Sequence, residues 1–196
     1  MKVIRGFEKR HGNPDAGALM ACACWTVDCL HYLDDIDRAF DTSSSSAIGH
    51  RPDVVDVAHA RWATSSCITA LDLCAAALGR VFCGHSGLRE FDLRDFDPSG
   101  SPRPRVRSRR AQLPQEAVRW VDDVLGDSDY GSVKSARGWL THSRLKRHFV
   151  LDTKGPPKRI SLEVNSNRIA VRRLVEVARD SATRWVSDLM NKLPAI

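Results

Sequence analysis

Two long stretches of the sequence carry apolar residues at alternating spacings of three and four, which is the pattern of an α-helix with one buried face. In the first stretch the residues that this pattern places toward the core are Leu19, Cys22, Thr26, Cys29, Leu33, Ile36 and Phe40. In the second stretch they are Val57, Ala60, Thr64, Cys67, Leu71, Cys74, Leu78 and Val81. The polar run 42–46 lies between them and predicts a loop. The pair is therefore expected to form an antiparallel helical hairpin.

The ends of these two helices are also marked in the sequence. Asn13 is a favourable N-cap, and Pro14 suits the first helical position because a backbone N–H there would have no partner within the helix. Gly84 and Gly87 follow the second stretch, where glycine commonly ends a helix. The sequence thus predicts one helix that begins at about Pro14 and another that ends just before Gly84.

Beyond the hairpin, the sequence predicts a third helical segment from about Pro114 to about His148, interrupted at 126–131. Its apolar residues in the first part are Ala117, Val118, Trp120, Val121, Val124 and Leu125. The pattern then changes to a period of two on either side of Lys154-Gly155-Pro156-Pro157, which predicts a small β-hairpin.

The C-terminal segment predicts one more helix, capped by Ser166 or Asn167. The residues expected on its buried face are Val171, Leu174, Ala178, Ala182, Trp185 and Leu189. The expected fold class is all-α, a four-to-five-helix up-down bundle with a small β-hairpin ornament near 149–164. A single helical domain is expected to span residues 1–196.

The composition indicates a cytoplasmic protein. No apolar run approaches the roughly 20 residues that span a bilayer, and the charged N-terminus lacks a signal-peptide pattern. The six cysteines lie among apolar residues, where a reduced cysteine behaves as a small hydrophobe. Cys22 and Cys24 would point about 200° apart on a helix, which disfavours a shared metal ion. We therefore expect no metal, no cofactor and no membrane association, and we expect all five tryptophans in the core or at an interface.

The net charge of +6 is unevenly distributed. Residues 101–110 hold five arginines and no acid, within a basic Pro/Arg-rich stretch, 85–112, that is predicted as a loop. Concentrated positive charge of this kind suits RNA or DNA, and Arg103, Arg105 and Arg107 are the candidate contacts. A solvated basic surface has the same composition, so charge alone leaves both interpretations open.

The basic segment from Arg137 to His148 carries the chemically richest side chains. On a helix, Arg137, Arg144 and His148 fall within about 40° of one another, and His142 lies about 140° from Arg137. Histidine can transfer a proton near neutral pH, and arginine can hold a phosphate and stabilise charge in a transition state. The segment is therefore the candidate site for phosphodiester chemistry.

Arg137 and His142, separated by four residues, resemble the signature of the HEPN superfamily, in which an arginine and a histidine lie on the third of four core helices. The resemblance implies a metal-independent endoribonuclease in which two motifs meet across a homodimer interface. It implies His142 as general acid/base and Arg137 as the phosphate-holding residue. Members occur as toxins and in phage-defence systems, so it also implies RNA, a second copy and a nucleotidyltransferase antitoxin or other defence-system subunit as partners.

Helix geometry and charge, rather than the motif, add Arg144, Lys146, Arg147 and His148 as candidate substrate contacts. An alternative remains open: a catalytically inactive helical bundle that acts as a nucleic-acid-binding or protein-interaction subunit. In that case the cations would complement the dipole at the C-terminal end of a helix. Gly138 follows Arg137 at a position where members of the superfamily frequently carry a polar residue.

Overall fold

The computed structural model describes residues 1–43, 52–84, 91–98, 108–141, 149–152, 159–164 and 167–196. Within this part the protein is mostly helical. The α-helices are α1 (Lys2–His11), α2 (Pro14–Ser43), α3 (Pro52–Phe82), α4 (Gln115–Gly126), α5 (Ser128–Thr141) and α6 (Val171–Lys192). Two short 3-10 turns span Leu93–Phe96 and Ser108–Gln112. The strands are β1 (Phe149–Asp152), β2 (Arg159–Val164) and β3 (Asn167–Ala170).

The chain divides into two compact units. The first unit comprises Met1–Val27, Thr69–Asp127 and Ala182–Ile196, and the second comprises Asp28–Ile68 and Ser128–Ser181. The largest fully buried side chains of the first unit are Phe7, Met20, Leu71, Leu78, Leu93, Phe96, Trp120 and Leu189. Those of the second unit are Leu30, Leu140 and Leu174. Each unit therefore has its own set of large buried hydrophobic residues.

The buried face of α2 differs from the one that the sequence predicts. Its buried residues are Ala16, Met20, Ala23, Val27, Leu30 and Leu33. Cys22 and Cys29 are exposed, although the predicted face included both. Nearly every position between Ala16 and Leu33 is small or apolar, so the spacing identifies a helix but leaves the orientation of its buried face undetermined.

The buried face of α3 agrees with the prediction along most of the helix. Ala60, Thr64, Cys67, Leu71, Cys74 and Leu78 are buried, and Val57 and Val81 at its two ends are half-buried. The one polar member of this set is satisfied within the helix, because the Thr64 hydroxyl donates to the Ala60 carbonyl oxygen at 2.8 Å. Gly84 follows the helix with a φ of 68°, so the predicted stop is confirmed at that residue. Gly87 lies outside the described residues.

The predicted cap of α2 is confirmed, and an additional helix precedes it. The side-chain oxygen of Asn13 accepts a hydrogen bond from the backbone N–H of Ala16 at 3.0 Å. Gly12 adopts the left-handed conformation, with a φ of 60°, and ends α1. No helix was predicted over residues 1–12, because the only apolar residues that α1 buries are Ile4 and Phe7.

The segment 91–98 is packed more tightly than its prediction as an irregular loop implies. Phe91, Leu93 and Phe96 are buried, and the Phe91 and Phe96 rings stack with centroids 5.6 Å apart. A capping box in which Asp92 and Asp95 each accept from the other's backbone N–H holds the turn. This segment closes over the C-terminal half of α3, where the Phe91 ring lies directly against Gly79.

The predicted β-hairpin forms part of a three-stranded antiparallel sheet with the order β1-β2-β3. Phe149 pairs with Leu162 and Asp152 pairs with Arg159, as a hairpin requires. The prediction that Ser166 or Asn167 caps the last helix is wrong, because residues 167–170 form the third strand. Arg168, Ile169 and Ala170 continue the alternating pattern of the sheet before the helix begins, and backbone pairing outweighs the capping preference of Asn167.

Two helices contain longer apolar segments than we expected from the sequence. By length and composition alone, Pro14–Leu33 of α2 and Asp56–Phe82 of α3 could cross a bilayer. The core helix of a soluble protein satisfies the same criterion. The prediction that no apolar run approaches that length is therefore wrong for these two segments. Their composition by itself assigns them neither to a membrane nor to a core.

The contact of Gly79 with Phe91 predicts opposite outcomes for two glycine-to-alanine substitutions. A Cβ at position 79 would lie 2.2 Å from the Phe91 ring, whereas a Cβ at Gly138 would meet no heavy atom within 4 Å. Gly79→Ala is expected to lower the free energy of unfolding by about 1–3 kcal/mol through overpacking. Gly138→Ala is expected to raise it by about 0.5–1 kcal/mol through helix propensity. Urea denaturation measures both, and equal effects would contradict the close contact.

His11 lies between two aromatic rings in the last turn of α1. Its ring centroid is 4.8 Å from that of Phe7 and 5.3 Å from that of Phe82, and its Nε2 atom is buried without a hydrogen-bond partner among the described residues. Burial, and secondarily the charge of Arg10, lower the pKa of His11 below its usual value of 6.5. These surroundings therefore favour the neutral imidazole over the protonated one.

This environment predicts a loss of stability in mild acid. Because the pKa of His11 is lower in the folded than in the unfolded chain, the unfolded chain binds more protons as the pH falls through about 6.5. The free energy of unfolding should therefore decrease between about pH 7 and pH 5, and His11→Phe should flatten part of that decrease. Denaturant titrations at several pH values measure the difference. Identical pH profiles for the two proteins would contradict the assignment.

Candidate nucleic-acid interface

The helix that carries Arg137 begins at an anchored residue. The predicted interruption at 126–131 is reduced to Asp127 alone, since α4 ends at Gly126 and α5 begins at Ser128. The Asp127 carboxylate accepts hydrogen bonds from the Trp185 indole N–H at 2.5 Å and from the guanidinium of Arg184. Its side chain is only 10% exposed. Two donors therefore hold this carboxylate directly before the first residue of α5.

The two sides of α5 are clearly distinguished. Tyr130, Val133, Ala136 and Leu140 are buried, at helical spacings of three and four. Lys134, Arg137 and Thr141 are exposed and fall within about 60° of one another around the helix axis. The ammonium of Lys134 lies 5.9 Å from the centroid of the Tyr130 ring. The exposed side therefore carries two cations and no acidic residue among these positions.

Arg137 is available to a ligand in a way that most arginines of the described chain are not. Arg80, Arg110, Arg119, Arg173 and Arg184 each pair with a carboxylate. Within the ranges that the structure describes, the guanidinium of Arg137 is exposed and forms no ion pair. An exposed guanidinium without a carboxylate partner can hold a phosphate without first breaking an internal ion pair.

The carbonyl group of Arg137 is hydrogen-bonded within the helix, whereas the space beside Gly138 is unfilled. The Thr141 hydroxyl donates to the Arg137 carbonyl oxygen at 2.5 Å, with a second, weaker contact to the Gly138 carbonyl oxygen at 3.5 Å. A Cβ at Gly138 would meet nothing within 4 Å. Thr141 thus satisfies a carbonyl group in the last turn of the helix, while Gly138 leaves room beside the arginine for a ligand.

The other predicted site residues lie outside the described residues. The helix is confirmed from Ser128 to Thr141, and the rest of the predicted segment, 142–148, lies outside the described residues. Positions not described by the structure are His142, Arg144, Lys146, Arg147 and His148, together with Arg103, Arg105 and Arg107 of the basic loop. The geometry therefore bears on the predicted site through Arg137 alone, and the functional roles of the others stay predictions.

One arginine of the basic run 101–110 has a structural role that the sequence analysis missed. Arg110 donates to both carboxylate oxygens of Asp122 at 2.6 Å and to the Phe96 carbonyl oxygen at 2.8 Å. This residue links the 3-10 turn at 108–112 to α4 and to the turn at 93–96. Arg110 is therefore occupied by internal contacts. The sequence could not indicate the ion pair, because Asp122 lies twelve residues further along the chain and only the fold brings it to Arg110.

The cysteines offer little chemistry to a ligand. Within the described ranges, no group of three or more His, Cys, Asp or Glu residues is placed to hold a metal ion. Cys67, Cys74 and Cys83 are buried, and burial strongly raises the pKa of the Cys74 thiol, with a smaller contribution from nearby Cys24. A buried cysteine with a raised pKa stays protonated and acts as a small apolar side chain.

Comparisons with protein-family models, with curated proteins and with solved structures gave no match. The resemblance to the HEPN superfamily therefore rests on Arg137, His142 and their helical context, and stays a prediction.

The contacts of Asp127 predict that this residue is more important for stability than an exposed carboxylate. Asp127→Ala removes the acceptor for Trp185 and Arg184 and is expected to lower the free energy of unfolding by about 1.5–3 kcal/mol. Glu116→Ala, which removes an exposed ion pair with Arg119, is the control and should change it by at most about 0.5 kcal/mol. Urea denaturation compares the two, and equal losses would show that the Asp127 contacts contribute nothing special.

Proposed function

We propose that this protein is a metal-independent endoribonuclease of the HEPN type. The observation that carries the proposal is the exposed guanidinium of Arg137 on the solvent side of α5, with Lys134 on the same side and open space at Gly138. His142, which supplies the histidine of the motif, follows Thr141 directly in the sequence. Arg137 supplies the phosphate-holding group and His142 the proton-transfer group.

The proposed reaction is an attack of a ribose 2′-oxygen on the adjacent phosphorus. His142 of one protomer removes the proton of the 2′-hydroxyl, and the equivalent histidine of the second protomer protonates the departing 5′-oxygen. Arg137 balances the negative charge that builds on the phosphate oxygens. The products are a 2′,3′-cyclic phosphate and a 5′-hydroxyl end. This proposal includes the homodimer and the up-down arrangement of four to five helices that the motif requires.

The cellular setting follows from the same proposal. A ribonuclease of this type acts in the cytoplasm as a toxin or phage-defence effector, with RNA as its substrate. A nucleotidyltransferase antitoxin or another subunit of a defence system would restrain it. The candidate substrate contacts beyond Arg137 are Arg144, Lys146, Arg147 and His148, together with Arg103, Arg105 and Arg107. Their positive charge would position the RNA backbone without specifying its sequence.

Cleavage of labelled RNA in EDTA tests this function directly. The wild-type protein should release products with 2′,3′-cyclic phosphate ends, and Arg137→Ala and His142→Ala should each lower the rate by about 10²–10⁴-fold. Arg61→Ala, at an exposed arginine of α3, is the matched control and should leave the rate unchanged. Circular dichroism checks that each variant keeps its helical content.

Two outcomes would overturn the proposed reaction. One is cleavage that persists in both Arg137→Ala and His142→Ala, which would assign the activity to other residues. The other is intact RNA after long incubation with concentrated folded protein. If such a protein still bound RNA with an affinity that falls steeply with salt, the alternative of a non-catalytic nucleic-acid-binding subunit would replace the nuclease.

A further inference from the structure

A groove lies beside the junction of α1 and α2, wholly within the first compact unit. Its volume is about 550 Å³, within the range of about 300–1,000 Å³ that is usual for small-molecule sites. The residues that line this groove, hereafter the α1 groove, are Arg5, Glu8, Lys9, Gly12 and Pro14. Three of them carry a charge, so a ligand here would be held mainly by electrostatic contacts.

Two cations on one side of α1 can reach a common ligand. Arg5 and Lys9 are both exposed and lie four residues apart on the helix. Residues at this spacing lie about 40° apart around the axis, with Cβ atoms about 5–6 Å apart. Within the part of the chain that the structure describes, neither side chain forms an ion pair. Because two like charges at this spacing repel each other, an anion bound between them would relieve the repulsion.

The neighbouring charged residues are occupied by internal contacts. The Arg10 guanidinium donates to the Pro194 carbonyl oxygen at 2.7 Å, and the Asp15 carboxylate pairs with Arg80 at 2.8 Å. These groups could bind a ligand only by giving up a contact within the protein. The charges that are available at this junction are therefore those that line the α1 groove.

Glu8 packs against α2 rather than pairing with Arg5. A Cβ at Gly17 would lie 3.0 Å from Oε2 of Glu8 and 3.2 Å from its Cβ, so the missing side chain at Gly17 makes room for this position of Glu8. In α6, Arg173 and Glu176 have the same order and spacing as Arg5 and Glu8, and they do form an ion pair. The contact with Gly17 therefore holds Glu8 away from Arg5 and leaves the guanidinium to a ligand.

The charges of the α1 groove suit a phosphate monoester. Such a group carries about 1.5–2 negative charges near neutral pH, which two cations balance more fully than one carboxylate could balance them. The planar guanidinium of Arg5 can bind two phosphate oxygens as a fork, and the ammonium of Lys9 can bind a third. Glu8 is an acceptor without a donor among the described residues, so it can accept hydrogen bonds from hydroxyl groups on the rest of the ligand.

The two helix ends beside the groove offset each other. The C-terminal end of α1 and the N-terminal end of α2 meet at Gly12 and Asn13, and their partial charges have opposite signs. The Glu8 carbonyl oxygen also accepts the backbone N–H groups of both residues. The sign of the local field is therefore determined by the side chains of Arg5 and Lys9.

Glu8 favours a single phosphate over a polyanion. A nucleic acid or an anionic membrane would place further phosphates beside this half-buried carboxylate, and they would be repelled. A small ligand with one phosphate can place that group between Arg5 and Lys9 and its uncharged part beside Glu8. The mixed charge of the groove thus selects for size as well as for charge.

We propose that the α1 groove binds a small, hydroxyl-bearing phosphate monoester, such as a sugar or polyol phosphate, with its phosphate between Arg5 and Lys9 and its hydroxyl groups beside Glu8. Gly17 is a positioning residue, because it keeps Glu8 from neutralising Arg5. This inference goes beyond the proposed ribonuclease activity and uses none of its residues. Its test therefore requires no nuclease assay.

Isothermal titration calorimetry of the full chain in a low-salt buffer without phosphate tests the site. Glycerol 3-phosphate should bind with a dissociation constant of about 0.1–1 mM, and inorganic phosphate more weakly. Arg5→Ala and Lys9→Ala should each weaken the binding of both by about tenfold or more, because each removes a charge-assisted hydrogen bond. Lys2→Ala is the matched control, since Lys2 is an exposed lysine of the same helix outside the groove, and it should leave both affinities unchanged.

Two further substitutions test the arrangement of Glu8. Glu8→Ala should tighten inorganic phosphate about two- to fivefold by removing repulsion, and it should abolish the preference for glycerol 3-phosphate. Gly17→Ala should displace Glu8 toward Arg5 and weaken inorganic phosphate about two- to fivefold. The double variant Glu8→Ala/Gly17→Ala should bind as tightly as Glu8→Ala alone. Gly6→Ala, where a Cβ would meet nothing within 4 Å, controls for a glycine substitution and should change neither affinity.

Four results would overturn the proposal. One is the absence of binding at about 10 mM of either compound. Another is an affinity that Arg5→Ala and Lys9→Ala leave unchanged, which would assign the phosphate to another surface. Equal affinities of the wild-type protein for the two compounds would show that Glu8 accepts no hydroxyl group. Binding of single-stranded RNA that Lys2→Ala weakens as much as Lys9→Ala would instead assign the exposed side of α1 to a polyanion.

Discussion

The burial of the C-terminal half of α3 is the constraint on which the first unit depends. Between Ala70 and Gly79 every residue except Asp72 and Leu73 is buried, so neighbouring segments must approach this helix closely on most sides. Alanine, cysteine and glycine permit that approach because their side chains occupy little space. The Phe91 ring takes the space left at Gly79, and the Asp72 carboxylate accepts the backbone N–H of Leu93 at 3.0 Å. The segment 91–98 is thereby held against α3 both by an apolar contact and by a hydrogen bond.

Polar contacts at the ends of helices add to the stabilisation that burial of apolar surface provides. Asn13 caps α2 and also reaches the carbonyl group of Arg80 at the end of α3, whose guanidinium pairs with Asp15 at 2.8 Å. Asp127 receives two donors at the junction between α4 and α5. In each case one side chain satisfies backbone or charged groups that would otherwise lose their partners on burial. Such contacts determine where helices begin and end.

Two exposed helix surfaces have different chemistry. The exposed side of α5 carries cations and open space, which suits a phosphate. The exposed side of α2 carries the aromatic residues Trp25 and Tyr32, with the acidic residues Asp28 and Asp35 beside them. The proposed activity rests on the first of these two surfaces.

The sequence by itself determined the long helices, the Asn13 cap, the stop at Gly84 and the antiparallel pairing of β1 with β2, because periodicity and capping chemistry are local properties. It also identified Arg137 as a candidate ligand for phosphate. Only the tertiary structure decided which side of α2 is buried, that residues 167–170 pair as a strand, and that Arg110 is bound to Asp122. The physical reason is that α2 itself carries small or apolar residues on nearly all of its sides. The spacing of its apolar residues therefore predicts a helix whichever side is buried. Only packing against residues distant in the sequence selects the buried side.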